Sequence, residues 1–384
     1  MTVRPCRVAL VVTAIATLTL AGCGRDGRAT DEGPRRGLQC SGLALASMSA
    51  LTGSESGLGR AVSRGAELAV AEFVARHPDC EVRLEQIDTE GLPPLATTAA
   101  EEIADDAAVI GIVGPAFSGE TAAAGPALDD AGLAIVTPSA TNPTLSTKGW
   151  AGFHRIVAAD DTLGAATAAF VAGRSDGGPF AVIDDGSAYG GGLADVIEAR
   201  LGDRVKVSRT VATGADDAAT VVSAIVAADA RTVFYAGYVE DSAAFARALR
   251  AGGSDAQLIV SEGAYNPRFL RDAGSAGDGV LVVTSTAPES TVPDFAAAYR
   301  ARFGASPPAF AAEAYDAANA LLAAIADGAR TRSEVIAFLA DADLDGITRP
   351  LRWTPTGEPA AAAFRLVKAA DGSFIDQGPV PAAR

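Results

Sequence analysis

Polar groups that can bind a charged small molecule directly follow short apolar runs of the sequence. Ser118 follows Val109–Val113 as the N-cap of a predicted helix, where free backbone N–H groups favour an anion such as a carboxylate. Thr141 follows Ala134–Val136 in a turn that exposes its hydroxyl and the Ser139 carbonyl. Hydroxyls, N–H groups and carbonyls in such loops indicate noncovalent binding of a polar ligand.

Three later apolar runs also end in loops with candidate binding residues. Tyr189, Tyr238 and Glu262 lie in the loops after the runs Phe180–Asp184, Thr232–Ala236 and Leu258–Val260. Taken singly, a helix cap, a rim tyrosine or a solvated carboxylate explains each residue equally well or better. Their joint position beyond successive strands favours one binding site, because open α/β sheets bind ligands there.

Catalytic interpretations have weaker support. Ser118 lacks a G-x-S-x-G pattern because Ala116 occupies the first glycine position. His77 and His154 fall at helix or strand positions, and no metal-ligand cluster is visible. The glycines at 190–192 are not followed by the Gly-Lys-Ser/Thr of a phosphate loop. We expect no enzyme, no metal site and no cofactor; a serine hydrolase stays an alternative that turnover would reveal.

The elements that carry these loops alternate as in βαβ units of a parallel sheet. The stretch Leu58–Ala75 repeats apolar residues with a 3.6-residue period, which predicts a helix that ends at His77-Pro78. Later helices are predicted over Val292–Phe303 and Phe310–Ala326, before a final hairpin. The predicted strands are Leu43–Met48, Val82–Ile87, Val109–Val113, Ala134–Val136, Phe180–Asp184, Val205–Val211, Thr232–Ala236, Leu258–Val260 and Val280–Val283.

The order and spacing of several phrases resemble those of the Leu/Ile/Val-binding family of type I periplasmic binding proteins, which deliver amino acids to ABC importers. The resemblance extends from Gly42 to the end of the chain. The phrases are Ile135–Thr141 (IVTPSAT), Tyr189–Ala194 (YGGGLA), Phe234–Tyr238 (FYAGY) and Pro350–Trp353 (PLRW) with Gly357.

The resemblance also implies roles for the loop residues. Ser118 and Thr141 would hold a ligand α-carboxylate, whereas Glu262 and the Ser139 carbonyl would hold its α-ammonium. Tyr189 and Tyr238 would close over the ligand from the second lobe. Its apolar part would meet Ala116, Phe117 and Phe310, because such pockets are mostly apolar with few polar anchors.

Two positions depart from the family pattern. Leu58 stands where the family often has a tyrosine in the first βα loop. The usual disulfide cysteines of the family align with about Gly91 and with Phe117. Phe117 would therefore narrow or reshape the pocket, and any disulfide of this chain would be a different one.

The chain is long enough for two cores, and the resemblance implies two Rossmann-like lobes with parallel sheets joined by a three-stranded hinge. The first lobe would comprise residues 41–156 plus 286–350, and the second 157–285 plus 351–384. Hinge crossovers are expected near Arg155–Asp160, Thr284–Ala287 and Arg349–Thr354. Closure of this hinge would enclose the ligand.

The N-terminus predicts export and lipidation. Arg4 and Arg7 precede an apolar run, Val8–Leu20, that is too short to span a bilayer. The ending Leu20-Ala21-Gly22-Cys23 resembles the bacterial lipobox, so residues 1–22 would be a signal peptide and Cys23 would carry a lipid. Residues 23–40 would form a flexible tether. The alternative is an ordinary secreted protein with a chance cysteine at this place.

The remaining pair of cysteines, Cys40 and Cys80, is predicted to form a disulfide. An exported protein meets an oxidising compartment, and each cysteine immediately precedes a predicted strand. Strands that are parallel neighbours would bring the two starting ends close enough to bridge. Two free thiols are the alternative.

The formal net charge of −16 makes nucleic acid an unsuitable partner. The sequence therefore predicts a membrane-anchored, extracytoplasmic binding protein for an amino acid or a close amide analogue. Its macromolecular partners would be ABC permease subunits. A ligand-sensing receptor module of the same fold, without transport, is the alternative function.

Overall fold

The structure, a computed structural model, describes residues 40–174, 178–211 and 218–380. The predicted signal peptide, Cys23 and nearly all of the tether lie outside the described residues. Within these three ranges, no helix has both the length and the apolar character needed to cross a bilayer.

Strands and helices alternate along the chain as predicted, and the predicted strands and long helices are confirmed with small differences at their ends. The strands are β1 (Ala44–Ser49), β2 (Arg83–Asp88), β3 (Val109–Val113), β4 (Ala134–Thr137), β5 (Phe153–Arg155), β6 (Phe180–Asp184), β7 (Val205–Thr210), β8 (Thr232–Ala236), β9 (Gln257–Val260), β10 (Leu281–Thr284), β11 (Leu344–Asp345), β12 (Pro350–Leu351), β13 (Phe364–Ala370) and β14 (Ser373–Val380). The helices are α1 (Ser56–Arg76), α2 (Pro93–Asp105), α3 (Ser118–Asp130), α4 (Asp160–Arg174), α5 (Ala188–Leu201), α6 (Ala218–Ala227), α7 (Val239–Ala251), α8 (Pro267–Ala273), α9 (Pro293–Phe303), α10 (Ala311–Asp327) and α11 (Arg332–Ala340).

The first sheet is parallel throughout, in the order β2-β1-β3-β4-β5. Every residue of β1, β3 and β4 is buried. Strands of a parallel sheet covered by helices on both faces are buried in this way, which explains why these segments are continuous apolar runs in the sequence.

The second sheet has the order β14-β13-β10-β9-β8-β6-β7. The strands from β10 to β7 are parallel, and the final hairpin β13-β14 adds two antiparallel strands beside β10. A separate ribbon pairs β11 with β12. The protein is thus an α/β protein with two sheets, each with its own helices.

The chain passes between the two sheets three times. Residues 156–159 lead from β5 to α4, residues 285–292 lead from β10 to α9, and residues 352–363 lead from β12 to β13. These segments coincide with the predicted hinge crossovers or lie next to them. The ends of the parallel strands in both sheets therefore face a shared cleft whose walls are held by three chain segments.

Close packing of α1 against α10 fixes one wall of the first lobe. A Cβ atom on Gly65 would lie 2.1 Å from the Ala311 carbonyl oxygen, so only glycine allows this approach. Leu58 and Phe73 of α1 and Leu321 of α10 lie in one buried apolar cluster. The N-terminal end of α10, which begins after Phe310, is thereby held at the cleft.

Cys40 and Cys80 are joined by a disulfide, with their Cα atoms 4.7 Å apart. Both residues are buried, and each precedes one of the parallel neighbours β1 and β2. The bridge therefore lies at the amino ends of these strands, opposite the ends that face the cleft.

Candidate functional site

Loops from both sheets meet around a small cavity of about 10 Å³, which is the room needed for one water molecule. The cavity contains most of the residues predicted to bind a ligand. Its lining comprises Leu58, Ser139, Thr141, Tyr189, Tyr238, Glu262, Gly263 and Phe310. The first lobe contributes hydroxyl groups and the second contributes two phenols and a carboxylate, so the two lobes present different chemistry to the same space.

Ala116, Phe117 and Ser118 form a layer behind the cavity lining. The Ser139 hydroxyl donates to the Ala116 carbonyl oxygen at 2.7 Å. The Phe117 ring meets the Tyr238 ring edge-on, with 5.3 Å between centroids. The three residues are therefore close to the site, but they are not part of the closed cavity wall.

Ser118 is the first residue of α3, and not its N-cap as the sequence suggested. Phe117 is the N-cap residue instead and has the extended backbone conformation usual at that position, with its ring packed on Tyr238. The Ser118 hydroxyl accepts a hydrogen bond from the Asn142 backbone N–H at 3.2 Å. Its own proton can still be donated, since a hydroxyl is both donor and acceptor.

Two tyrosines close the second-lobe side. The Tyr189 and Tyr238 rings lie 5.2 Å apart, and the Tyr189 hydroxyl accepts the Gly263 backbone N–H at 3.2 Å. A Cβ atom at Gly263 would lie 2.7 Å from the Tyr189 ring, so a glycine is required there. Burial raises the pKa of both phenols well above their usual value, so both stay neutral and can donate hydrogen bonds.

Glu262 is buried and is held by the crossover that follows β10. Its Oε2 accepts hydrogen bonds from the Thr284 hydroxyl at 3.0 Å and from the Ser285 backbone N–H at 2.7 Å. Burial raises the pKa of the carboxyl group, and the hydrogen bonds from Ser285 and Thr284 partly oppose that shift. The carboxylate that we expected to meet a ligand ammonium is therefore also a structural anchor for the hinge.

Asp160 is a second buried carboxyl group beside the cavity, which the sequence analysis did not include in the site. It is the first residue of α4, and its Oδ2 lies within hydrogen-bond distance of the Thr141 hydroxyl oxygen, at 3.0 Å. Burial and the charge of Glu262 raise its pKa well above the usual value. Its position at a helix start was readable from the sequence, but the burial that makes it unusual depends on the first crossover.

Two hydrogen bonds join the lobes at the rim of the cleft. The Asn142 side chain donates to the Ala188 carbonyl oxygen at 2.7 Å, and Arg268 donates to the Ser54 carbonyl oxygen. Glu55 lies near this second contact, and burial raises its pKa to about 7. The lobes are therefore closed on one another, and a solute larger than water can enter only when they separate.

The histidines lie outside the cavity lining. His154 is buried, with Nδ1 within 3.1 Å of the Gly152 carbonyl oxygen and its ring against Trp353. His77 packs on Phe73 at the end of α1. Over the described ranges, no group of three or more histidine, cysteine or acidic side chains has the arrangement of a metal site.

Comparisons with known proteins identify a family for this fold. A family model described as "Periplasmic binding protein" matches residues 44–373. The Leu/Ile/Val-binding protein BraC3 of Rhizobium johnstonii is 28% identical over 335 residues, which cover 85% of this chain and 91% of that protein.

Two solved structures share the fold. The leucine-binding protein LivK of Thermotoga maritima has a TM-score of 0.79 at 24% identity, covering 88% of this chain and 98% of the other. The branched-chain amino-acid transporter substrate-binding protein LivJ of Streptococcus pneumoniae, solved with isoleucine, has a TM-score of 0.80 at 22% identity, covering 87% and 99% of the two chains. At these identities the likeness concerns the fold alone.

Proposed function

The chain belongs to the periplasmic binding protein family, and on that premise we propose that it captures an amino acid or a close amide analogue for an ABC importer. The observation that carries this proposal is the division of chemistry across the cleft. Thr141 and Ser139 of the first lobe face Glu262 and the two tyrosines of the second. A zwitterion needs hydrogen-bond donors and a carboxylate a few ångströms apart, and a closing cleft strengthens both contacts by excluding water.

Each residue has a proposed part in binding. Ser118 and Thr141 would hold the α-carboxylate, and Glu262 with the Ser139 carbonyl would hold the α-ammonium. Tyr189 and Tyr238 would cover the ligand, whose apolar side chain would meet Phe310 and the layer of Ala116 and Phe117. The names of BraC3 and LivJ support an aliphatic amino acid as the first candidate ligand.

The protein would capture its ligand by hinge movement, without making or breaking a covalent bond. The cavity of about 10 Å³ is far too small for an amino acid, so binding requires opening of the lobes and reclosure around the ligand. The lobe boundaries that we propose are residues 41–156 plus 286–350 and residues 157–285 plus 351–384. The transporter named in the description of LivJ supports delivery to a permease over sensing alone.

We also propose that the protein acts at the extracytoplasmic face of the membrane, anchored through a lipid on Cys23. The sequence of the leader, Leu20-Ala21-Gly22-Cys23, supports this location. The extracytoplasmic role of a periplasmic binding protein agrees with it.

A thermal-shift screen of the full-length chain in detergent tests the proposed function. The panel comprises the amino acids, short amides and urea. A ligand at 100 times its Kd should stabilise the folded state by about 2.7 kcal/mol. Stabilisation by an amino acid without its chemical conversion supports the proposal; no stabilisation by any member, or turnover of one, would contradict it.

A further inference from the structure

The Thr141 hydroxyl can donate its proton to Asp160 or to a ligand, but not to both. Thr141 Oγ1 lies 3.0 Å from Asp160 Oδ2 and also lines the cavity. A hydroxyl has one proton and two lone pairs. If Asp160 is ionised, it takes that proton, and Thr141 offers only lone pairs to the cavity. A ligand carboxylate would then meet an acceptor where it needs a donor.

The surroundings of Asp160 favour a neutral carboxyl group. The residue is fully buried, and within the described part of the chain its Oδ1 accepts no hydrogen bond. Burial of an ionised carboxylate with an unpartnered oxygen has a high desolvation cost, whereas burial of a protonated carboxyl group has a lower one. The Asp160 backbone N–H donates to the Thr141 carbonyl oxygen at 2.9 Å, so the two residues are held together by main chain as well.

Charged and titratable groups around Asp160 act in both directions. Glu262 from the second lobe and Asp161 from the same helix raise its pKa, and Arg155 lowers it. The Tyr189 phenol is close enough to interact with the charge of an ionised Asp160, and burial keeps that phenol neutral. Arg155 is already paired with Glu358 at 3.0 Å and does not hydrogen-bond to Asp160. Burial is the largest influence, and it favours the neutral form.

We propose that Asp160 is a positioning residue that keeps a proton in the closed site and donates it to Thr141 Oγ1, which turns the Thr141 hydroxyl toward the ligand carboxylate. The inference rests on the proposed function, because it concerns the carboxylate end of an amino-acid ligand. Asp160 itself does not touch the ligand. Its protonation state decides whether Thr141 presents a donor or an acceptor.

This arrangement makes affinity depend on pH in a specific direction. Loss of the Asp160 proton reverses the hydrogen bond to Thr141, so binding of a carboxylate ligand weakens as pH rises. Glu262 acts in the opposite direction, since it must be ionised to hold an ammonium, and binding weakens as it is protonated at low pH. The decrease in affinity at high pH (the alkaline limb) can therefore be assigned to Asp160, and the decrease at low pH (the acidic limb) to Glu262.

The first test measures the Kd of L-isoleucine for the full-length chain in detergent from about pH 5 to about pH 8.5. The ligand keeps its zwitterionic form in this range because its own carboxylate raises the pKa of its ammonium above that of a peptide N-terminus. The parent protein is compared with Asp160→Asn, Asp160→Ala and the matched control Asp161→Asn. Asp161 is the exposed neighbour of Asp160 on the same helix.

Asparagine stays neutral and can donate to Thr141, so Asp160→Asn should bind L-isoleucine with the affinity of the parent at low pH. Unlike the affinity of the parent, its affinity should not decrease at high pH. Asp160→Ala also lacks the titrating group but leaves the Thr141 hydroxyl without its partner, so it should bind up to about tenfold more weakly than the parent at low pH, the effect of one neutral hydrogen bond, with no further loss of affinity at high pH. Asp161→Asn should keep both limbs of the parent profile, with only a small shift of the alkaline limb to lower pH, because it removes a charge that raises the Asp160 pKa. A residue with only a packing role would not change the pH profile.

A second measurement does not depend on ligand binding. The infrared difference spectrum between the parent and Asp160→Asn at neutral pH should contain the C=O stretch of a protonated carboxyl group. Absence of that band, or isoleucine binding that is independent of pH in the parent and weakened at every pH in Asp160→Asn, overturns the inference while the proposed function stands. If no amino acid binds the parent, the proposed function fails and the role of Asp160 fails with it, whatever the spectrum contains.

Discussion

The Glu262 carboxylate accepts the Ser285 backbone N–H at 2.7 Å, which ties a predicted ligand-binding residue to the crossover between the lobes. The Ser285 hydroxyl is also within 3.1 Å of Glu262 Oε2, and the Ser285 carbonyl oxygen accepts from Arg349, just before the third crossover. Movement of the hinge would therefore change the surroundings of this carboxylate, and an ammonium bound there, as we propose, would act on the hinge.

Removal of the Ser285 hydroxyl should destabilise the closed protein. Ser285→Ala keeps the backbone hydrogen bond but deletes the hydroxyl donor to a buried carboxylate, which costs about 1–3 kcal/mol. The melting temperature should fall in a thermal scan, whereas Ser275→Ala, at an exposed serine before β10, should leave it unchanged. Equal melting temperatures for parent and Ser285→Ala would show that this contact contributes little.

Glu313 should make stability fall as pH rises. Burial raises its pKa from its usual 4.5 to about 7, and its Oε1 accepts the Ala287 N–H at 2.6 Å. Between these two pKa values the folded state keeps a proton that the unfolded state loses. The free energy of unfolding is therefore unaffected by this group below about pH 4 and decreases as pH rises to about 7.

Glu313→Gln removes this titration. We measure the free energy of unfolding of the variant and of the parent by chemical denaturation at pH 5 and at pH 8. The difference, variant minus parent, should be about 2–3 kcal/mol larger at pH 8 than at pH 5. The control is Asp327→Asn, at an exposed acid on the same helix. The same gain at both pH values would contradict the assignment.

Loss of the Cys40–Cys80 disulfide should lower stability without changing the site. The bridge closes a loop with a sequence separation of 40, worth roughly 3–4 kcal/mol in the chain-entropy model. Non-reducing peptide mass spectrometry should detect the linked pair, and Cys40→Ser/Cys80→Ser should melt earlier but still bind ligand. Two alkylatable thiols in the exported protein would exclude the bridge.

Cys23 should decide where the protein is found in the cell. Cys23→Ala removes the only thiol of the lipobox-like sequence, so the precursor should stay uncut or the protein should leave the membrane fraction. Fractionation with immunoblotting measures both results, with Cys6→Ala as the control for loss of a cysteine outside the lipobox-like sequence. Unchanged processing and membrane retention would refute lipidation at this residue.

Much of the fold was predictable because the local pattern and the tertiary environment agree. The runs that became β1, β3 and β4 are apolar because the strands are buried on both faces, and α1 follows its 3.6-residue period. Thr141 and Glu262, which follow strand ends in the sequence, line one cavity in the structure.

The remaining features depend on contacts between distant parts of the chain. Ser118 was expected to be the helix cap, but Phe117 takes the N-cap position and packs its ring on Tyr238 of the other lobe. Asp160, which enters from the first crossover, was not among the predicted site residues. Burial of a single acidic residue leaves no periodic signal in the sequence, so neither its proton nor its partner could be predicted.

The central measurement is the binding of an amino acid and of its deaminated analogue to the parent and to Glu262→Gln by calorimetry. The substitution keeps the shape of the side chain and removes its charge, so the amino acid should lose about 2–5 kcal/mol of binding free energy. The analogue has no ammonium and should lose far less, which separates the ammonium contact from any general effect on the hinge. Binding of the amino acid to Glu262→Gln with the affinity of the parent would contradict the assignment of the ammonium site to Glu262.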